Sequence, residues 1–302
     1  MTLRYDAGEI ITAMVTPFNE KREIDFSALE RLAKHLIENG SDSILLAGTT
    51  GENPTLTHEE EYEILYSVKS AIVPSKAKII VGAGSNSTDT AVKTSKKMKE
   101  LGADGLLSVV PYYNKPNQQG LIEHFGAVAR AVDLPIIMYN IPSRTGINMS
   151  PATVAFLAKE YPNIVALKQS YFDMDIVSEL KEQCPEDFAI YSGDDSLTLP
   201  MLSLGAYGVV SVASHVIGNE IKSMIHNFKS GQINAAKNMH LKLYPLFKKL
   251  FMAPNPVPVK AVLSRLKLIE NYVRKPLVEL NELERQELFD VLNVVQKSLE
   301  GC

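Results

Sequence analysis

Eight short apolar runs, each followed by a stretch with helical or turn character, constrain this chain more than any other feature. No two runs are joined by a tight hairpin turn, so neighbouring strands must pair in parallel through crossovers. The strands are predicted at 10–15, 43–47, 78–81, 105–110, 135–139, 163–170, 188–191 and 208–212. Helices are predicted between them at 25–38, 58–72, 89–101, 118–132, 151–160, 174–182 and 196–204. Eight such units are what closes a (β/α)8 barrel, an α/β fold that 302 residues accommodate. An open doubly wound sheet is the alternative, but Gly82-Ala83-Gly84 lacks the third glycine of a dinucleotide-binding turn. Further helices are predicted at 220–228, 233–251, 259–268 and 282–299, punctuated by Pro254, Pro256 and Pro258. The expected division is a barrel over 1–220 that carries the site. A C-terminal helical extension over 221–302 would pack on the barrel or build an oligomer contact.

The sixth run, 163–170, is continuously apolar up to Lys168, as in a strand buried on both faces. A lysine at the mouth of such a strand is poorly solvated, which disfavours its ammonium form, and a neutral amine can attack a carbonyl to form an imine. The plainer reading is a lysine that marks the strand end and points to water.

Composition removes several function classes. The net charge of −4 suggests neither a nucleic-acid nor an anionic-membrane partner. Cys184 and Cys302 lie too far apart to read as a disulfide framework or metal site, and a reducing cytoplasm is expected. Residues 1–8 carry charges without an apolar core and do not read as a signal peptide. The uncharged run 197–218 is broken by Pro200, Gly205 and Gly208, so no membrane span is expected. The histidines show no metal-ligand spacing, and there is neither a G-x-S-x-G elbow nor a Walker loop. An enzyme without metal or cofactor is the expectation.

In a barrel, chemistry sits on the loops that follow the strands, and the opposite face carries stability. Lys78 begins its strand and reads as structural, whereas Lys168 ends its strand. Gly48-Thr49-Thr50-Gly51-Glu52 follows the second strand and can converge amides and hydroxyls on a small carboxylate, or simply form a turn and helix cap. Asn86 lies after the third strand, Tyr112 and Tyr113 after the fourth, Tyr139 and Arg144 at and after the fifth, and Gly193 after the seventh. The tyrosines also read as one core and one surface aromatic, and Arg144 as a solvated charge. Asp194-Asp195 reads as a helix N-cap pair rather than a magnesium site. Taken together, an amine, phenols, hydroxyls and a guanidinium at strand ends make a coherent site for imine chemistry.

From Thr12-Ala13-Met14-Val15-Thr16-Pro17-Phe18 to Asn255-Pro256-Val257-Pro258-Val259-Lys260, the chain resembles the pyruvate-dependent class I aldolase/lyase superfamily. Pro111-Tyr112-Tyr113-Asn114-Lys115-Pro116, Ser143-Arg144-Thr145-Gly146 and Ser192-Gly193-Asp194-Asp195 resemble its dihydrodipicolinate synthase family in particular. The resemblance implies that Lys168 forms a Schiff base with pyruvate, whose enamine attacks L-aspartate 4-semialdehyde to give 4-hydroxy-tetrahydrodipicolinate. It implies proton relay by Thr49, Tyr139 and Tyr113, the last reaching in from a neighbouring subunit. Thr50, together with Thr49, would hold the pyruvate carboxylate and Arg144 that of the semialdehyde, with backbone contacts from Gly193 and Val210. A homotetramer, built as a dimer of dimers, is implied as well.

Gln169-Ser170-Tyr171-Phe172 departs from the family's usual Glu-Ala, which should change the electrostatics beside Lys168. His58, Asn86 and Tyr112 match an allosteric lysine site, but Glu61 and Thr90 stand where a histidine and a glutamate are expected, so weak or absent feedback is predicted. Two other functions compete: a sister aldolase acting on N-acetylneuraminate or a 2-keto-3-deoxy sugar acid, and a catalytically weak barrel that binds small molecules. Arg144 argues against the first, because a sugar acid needs no guanidinium for a short semialdehyde.

Overall fold

The computed structural model describes residues 2–73 and 75–300; Cys302 lies outside them. Strands and helices alternate along the chain. In order they are β1 (Ile10–Ala13), α1 (Phe26–Glu38), β2 (Ser43–Leu46), α2 (His58–Ile72), β3 (Lys78–Gly82), α3 (Thr88–Glu100), β4 (Gly105–Val109) and α4 (Gln118–Ala131). There follow β5 (Ile136–Asn140), α5 (Pro142–Thr145), α6 (Pro151–Glu160), β6 (Ile164–Gln169), α7 (Met174–Gln183), β7 (Ala189–Ser192), α8 (Thr198–Ser203) and β8 (Gly208–Ser211). Helices α9 (Ser214–Lys229), α10 (Ile233–Lys249), α11 (Val257–Arg265) and α12 (Glu282–Leu299) complete the chain. The eight strands form a closed barrel in sequence order, as the absence of hairpin connections requires.

Most helices start where a short polar side chain can take up an orphan amide. Asp25, Ser87, Asn117, Ser150 and Asp173 each accept a backbone N–H of the following helix, and Thr57 and Asn281 form capping boxes with Glu60 and Glu284. Each such cap stabilises its helix by about 1 kcal/mol.

The chain falls into two compact units. One comprises Lys78–Val210 with the chain up to Glu9, and the other Ile10–Ala77 with the chain from Ser211 onward. In the first, β5, β6 and β7 are buried at every position. Its N-terminal segment is tied in by Arg4, which pairs with Asp187 at 2.8 Å. Lys78 is structural, as expected: its ammonium lies 4.1 Å from the Tyr5 ring centre and donates to the Asp6 carbonyl.

In the second unit, α9 begins at Ser214, earlier than the helix start expected at residue 220. The helix start is hidden in sequence because Ser214 and His215 are polar residues whose partners are remote. Ser214 Oγ lies 2.7 Å from Thr12 Oγ1, and His215 Nε2 accepts the Val15 N–H at 3.2 Å. The helix is irregular at Ile217, and Gly218 follows because a Cβ there would meet the Asn39 carbonyl oxygen at 2.1 Å.

Candidate active site

Lys168 is the fifth residue of β6, in register with Tyr139 of β5 and Tyr191 of β7. It is 7% exposed, so the burial expected from the apolar run is met. Its ammonium stands 4.1 Å from the centre of the Tyr139 ring. The ring face therefore fixes where the end of the lysine side chain lies. The Tyr191 hydroxyl, by contrast, donates to the Gly8 carbonyl at 3.0 Å and belongs to the scaffold.

Gly193, the first residue past β7, donates its N–H to the Gln169 carbonyl at 2.8 Å. A Cβ there would stand 1.9 Å from Ser170 Oγ and 3.0 Å from Lys168 Cε, so only glycine lets the lysine stem and Ser170 pass. Val210 is buried near the end of β8. Asp194 caps the turn after β7: its Oδ1 accepts from Ser196 N at 2.9 Å and Ser196 Oγ at 2.8 Å.

Arg144 lies on α5, one turn past β5, and is exposed. The loop that carries it is pinned by Asn140. Asn140 Nδ2 donates to Asn148 Oδ1 at 2.7 Å and Gln169 Oε1 at 3.0 Å, and its Oδ1 accepts the Met149 N–H at 3.1 Å. Gln169 thus reaches the Arg144 loop through an amide chain. Its Nε2 is buried without a hydrogen-bond partner, as is Ser170 Oγ. Tyr171 and Phe172 have ring centres 4.9 Å apart, and Phe172 is largely exposed.

Tyr112 and Tyr113 follow β4 and are both exposed, Tyr113 at 90%. Tyr113 has φ 72° and Lys115 φ 47°, left-handed conformations that cost a non-glycine residue about 1–2 kcal/mol each. Asn86 holds this loop, accepting at its carbonyl from Asn114 Nδ2 at 2.7 Å.

In the other unit, the hydroxyl loop Gly48–Glu52 is bracketed by two more left-handed residues, Ala47 (φ 50°) and Glu52 (φ 57°). Gly51 N–H donates to the Gly48 carbonyl at 3.0 Å, and Thr16 Oγ1 donates to the Gly51 carbonyl at 2.7 Å. Thr50 is buried and its Oγ1 accepts from Asn255 Nδ2 at 2.9 Å, while Thr49 is half-buried. Left-handed non-glycine residues thus fall in the loops after β2 and β4, and also at Arg22 and Lys267. His58 Nδ1 lies 3.0 Å from Glu61 Oε2, and Asn53 donates to the other oxygen. Burial raises the Glu61 carboxyl above its ordinary range, and the His58 and Asn53 contacts oppose that.

The sequence reading did not single out Asn140, Asn148, Asn255 or Lys260. Asn140 left a trace as a polar residue ending an apolar strand; the others act through partners that sequence proximity does not reveal. Among the described residues, no three His, Cys, Asp or Glu side chains cluster as metal ligands, and no helix is long and apolar enough to cross a membrane. Burial pushes the Cys184 thiol up to about 11, which leaves it protonated and unreactive near neutral pH.

A buried lysine near the end of a barrel strand, with a phenol ring beside its Nζ, has the groups that an enzyme working through a lysine imine requires. The model of the Dihydrodipicolinate synthetase family matches residues 6–295. A 4-hydroxy-tetrahydrodipicolinate synthase of Cyanothece sp. is 49% identical over 94% of this chain and 97% of the relative. That of Heliobacterium modesticaldum is 53% identical over 92% of each. The crystal structure of the dihydrodipicolinate synthase of Cyanidioschyzon merolae with lysine bound superimposes with a TM-score of 0.95 at 49% identity, covering 96% of this chain and 98% of that one. The chain belongs to the dihydrodipicolinate synthetase family. It carries that family's synthase function and is a lyase.

Proposed function

We propose that the chain condenses pyruvate with L-aspartate 4-semialdehyde through an imine on Lys168. The observation that carries this is the placement of Lys168, buried at the end of β6 with its Nζ 4.1 Å from the Tyr139 ring centre. In this reading the neutral amine adds to the pyruvate C2 carbonyl and water leaves. The resulting iminium accepts the electron pair released when a C3 proton departs, and the enamine attacks the aldehyde carbon. Tyr139, Thr49 and Tyr113 relay the protons, which several steps both consume and release. Thr49 and Thr50 hold the pyruvate carboxylate, Arg144 that of the semialdehyde, and Gly193 and Val210 border the substrate.

Tyr113 acts in a neighbouring copy within a homotetramer, a dimer of dimers, in this reading, and its 90% exposure on a left-handed loop is consistent with such a contact. Residues 1–220 form the working barrel in this reading, and residues 221–302 the added helical part.

Borohydride reduction with pyruvate, followed by peptide mass analysis, tests the proposal. A reduced pyruvyl adduct on the peptide containing Lys168 is the expected result. Full turnover with no adduct would sink the imine mechanism, and an adduct on a different lysine would move it to another strand.

A further inference from the structure

The hydroxyl loop Gly48–Glu52 ends on a buried charged group that the chemistry above does not use. Glu52 is 2% exposed in a left-handed conformation. Its Oε1 accepts from Lys260 Nζ at 2.5 Å and its Oε2 from the Arg274 N–H at 2.9 Å. Lys260 is 0% exposed, donates also to the Tyr272 carbonyl at 2.8 Å, and lies 4.1 Å from the Phe18 ring centre. The Arg274 guanidinium stands 4.5 Å from the same ring and donates to both Glu60 oxygens, at 2.7 and 2.5 Å. Asn255 Nδ2 ties Thr50 Oγ1 to the same late part of the chain at 2.9 Å.

An ion pair this deeply buried is a poor source of stability, because desolvating two charges offsets most of their attraction. It is a good source of geometry. Both charges have fixed partners, and those partners meet a Glu52 whose backbone is held in a left-handed conformation unfavourable for a non-glycine residue.

We propose that Glu52, Lys260 and Asn255 are positioning residues that hold Thr49 and Thr50 in place for pyruvate without touching it. The inference rests on the assignment of the hydroxyl loop to pyruvate made above.

The test is steady-state kinetics in both substrates for Glu52→Gln, Glu52→Ala, Lys260→Met and Asn255→Ala, with melting curves and borohydride trapping alongside. A reacting group displaced by about 1 Å can lose roughly 100-fold in rate, so a slackened loop should raise the KM for pyruvate about tenfold in Glu52→Ala and Lys260→Met and about threefold in Asn255→Ala. Glu52→Gln keeps an acceptor for Lys260 and should recover part of that loss. The KM for the semialdehyde should stay unchanged, a split that general destabilisation would not produce.

Unchanged pyruvate KM in the folded variants would overturn the proposal, as would losses that follow melting temperature alone. If Lys260→Met fails to fold, Asn255→Ala, which removes one hydrogen bond, decides the matter. Failure of the unaltered protein to trap pyruvate would instead defeat the assignment on which the inference rests, so the two failures are distinguishable.

Discussion

Lys168 and Tyr139 are register partners on adjacent parallel strands, and the lysine Nζ lies 4.1 Å from the tyrosine ring centre. The contact is to the ring face, so the hydroxyl is a separate group with its own role. Tyr139→Phe keeps the face and deletes the hydroxyl. Removing a proton-transfer group typically costs about 100- to 10,000-fold in rate, and kcat should fall within that range with the melting temperature nearly unchanged. A variant with nearly full kcat would remove the Tyr139 hydroxyl from the proton relay.

Gly193→Ala would put a methyl 1.9 Å from Ser170 Oγ and 3.0 Å from Lys168 Cε. Overpacking of this kind costs about 1–3 kcal/mol, and here it also pushes on the stem of Lys168. We expect a lower melting temperature and a raised KM for pyruvate. Adding Ser170→Gly should recover much of the stability, because the closest clash is with its hydroxyl. Thermal melts of the single and double variants check this, and no recovery would mean that Lys168 itself bears the strain.

Acid should weaken the fold through His215. The ring is fully buried, and burial holds it down at about 4 against an ordinary 6.5, with His35 adding to the depression and the Val212 carbonyl opposing it. Its Nδ1 donates to Val212 O at 2.8 Å while Nε2 accepts the Val15 N–H, an arrangement that only the neutral ring supports. Between pH 6.5 and 4 the unfolded chain therefore binds the extra proton. The contribution, roughly 3 kcal/mol, is complete above pH 6.5 and is lost as pH falls towards 4. His124, also held at about 4 by burial, acts in the same direction. Melting temperatures at pH 7.5 and 4.5 should differ less for His215→Gln than for the parent; equal slopes would acquit His215.

Feedback by lysine should be weak. The Glu61 oxygens are engaged by His58 and Asn53, where the lysine-sensitive pattern calls for a histidine. Initial rates across a lysine titration check the expectation, and strong inhibition at low concentration would refute it.

Much of the fold was legible in the sequence because parallel strands buried on both faces are written as continuous apolar runs, and their helices begin at cap residues such as Asp25, Thr57 and Ser150. These signals are local. The start of α9 was misplaced because Ser214 and His215 are polar in sequence and buried in space, satisfied by Thr12 and Val15 about 200 positions away.

The candidate site divides in the same way. Lys168, Tyr139, Arg144 and the hydroxyl loop stand out by residue type at or just after strand ends, so sequence alone was enough to nominate them. Tertiary structure decided how they are held. It laid the Tyr139 ring face under the lysine, required glycine at 193 for clearance from Ser170, and linked Gln169 through Asn140 to the Arg144 loop. It also seated Lys260 on Glu52, a contact between residues 208 positions apart. Hydrogen bonds and buried charges find partners by distance in space, and chain separation carries no record of that distance until the barrel has closed.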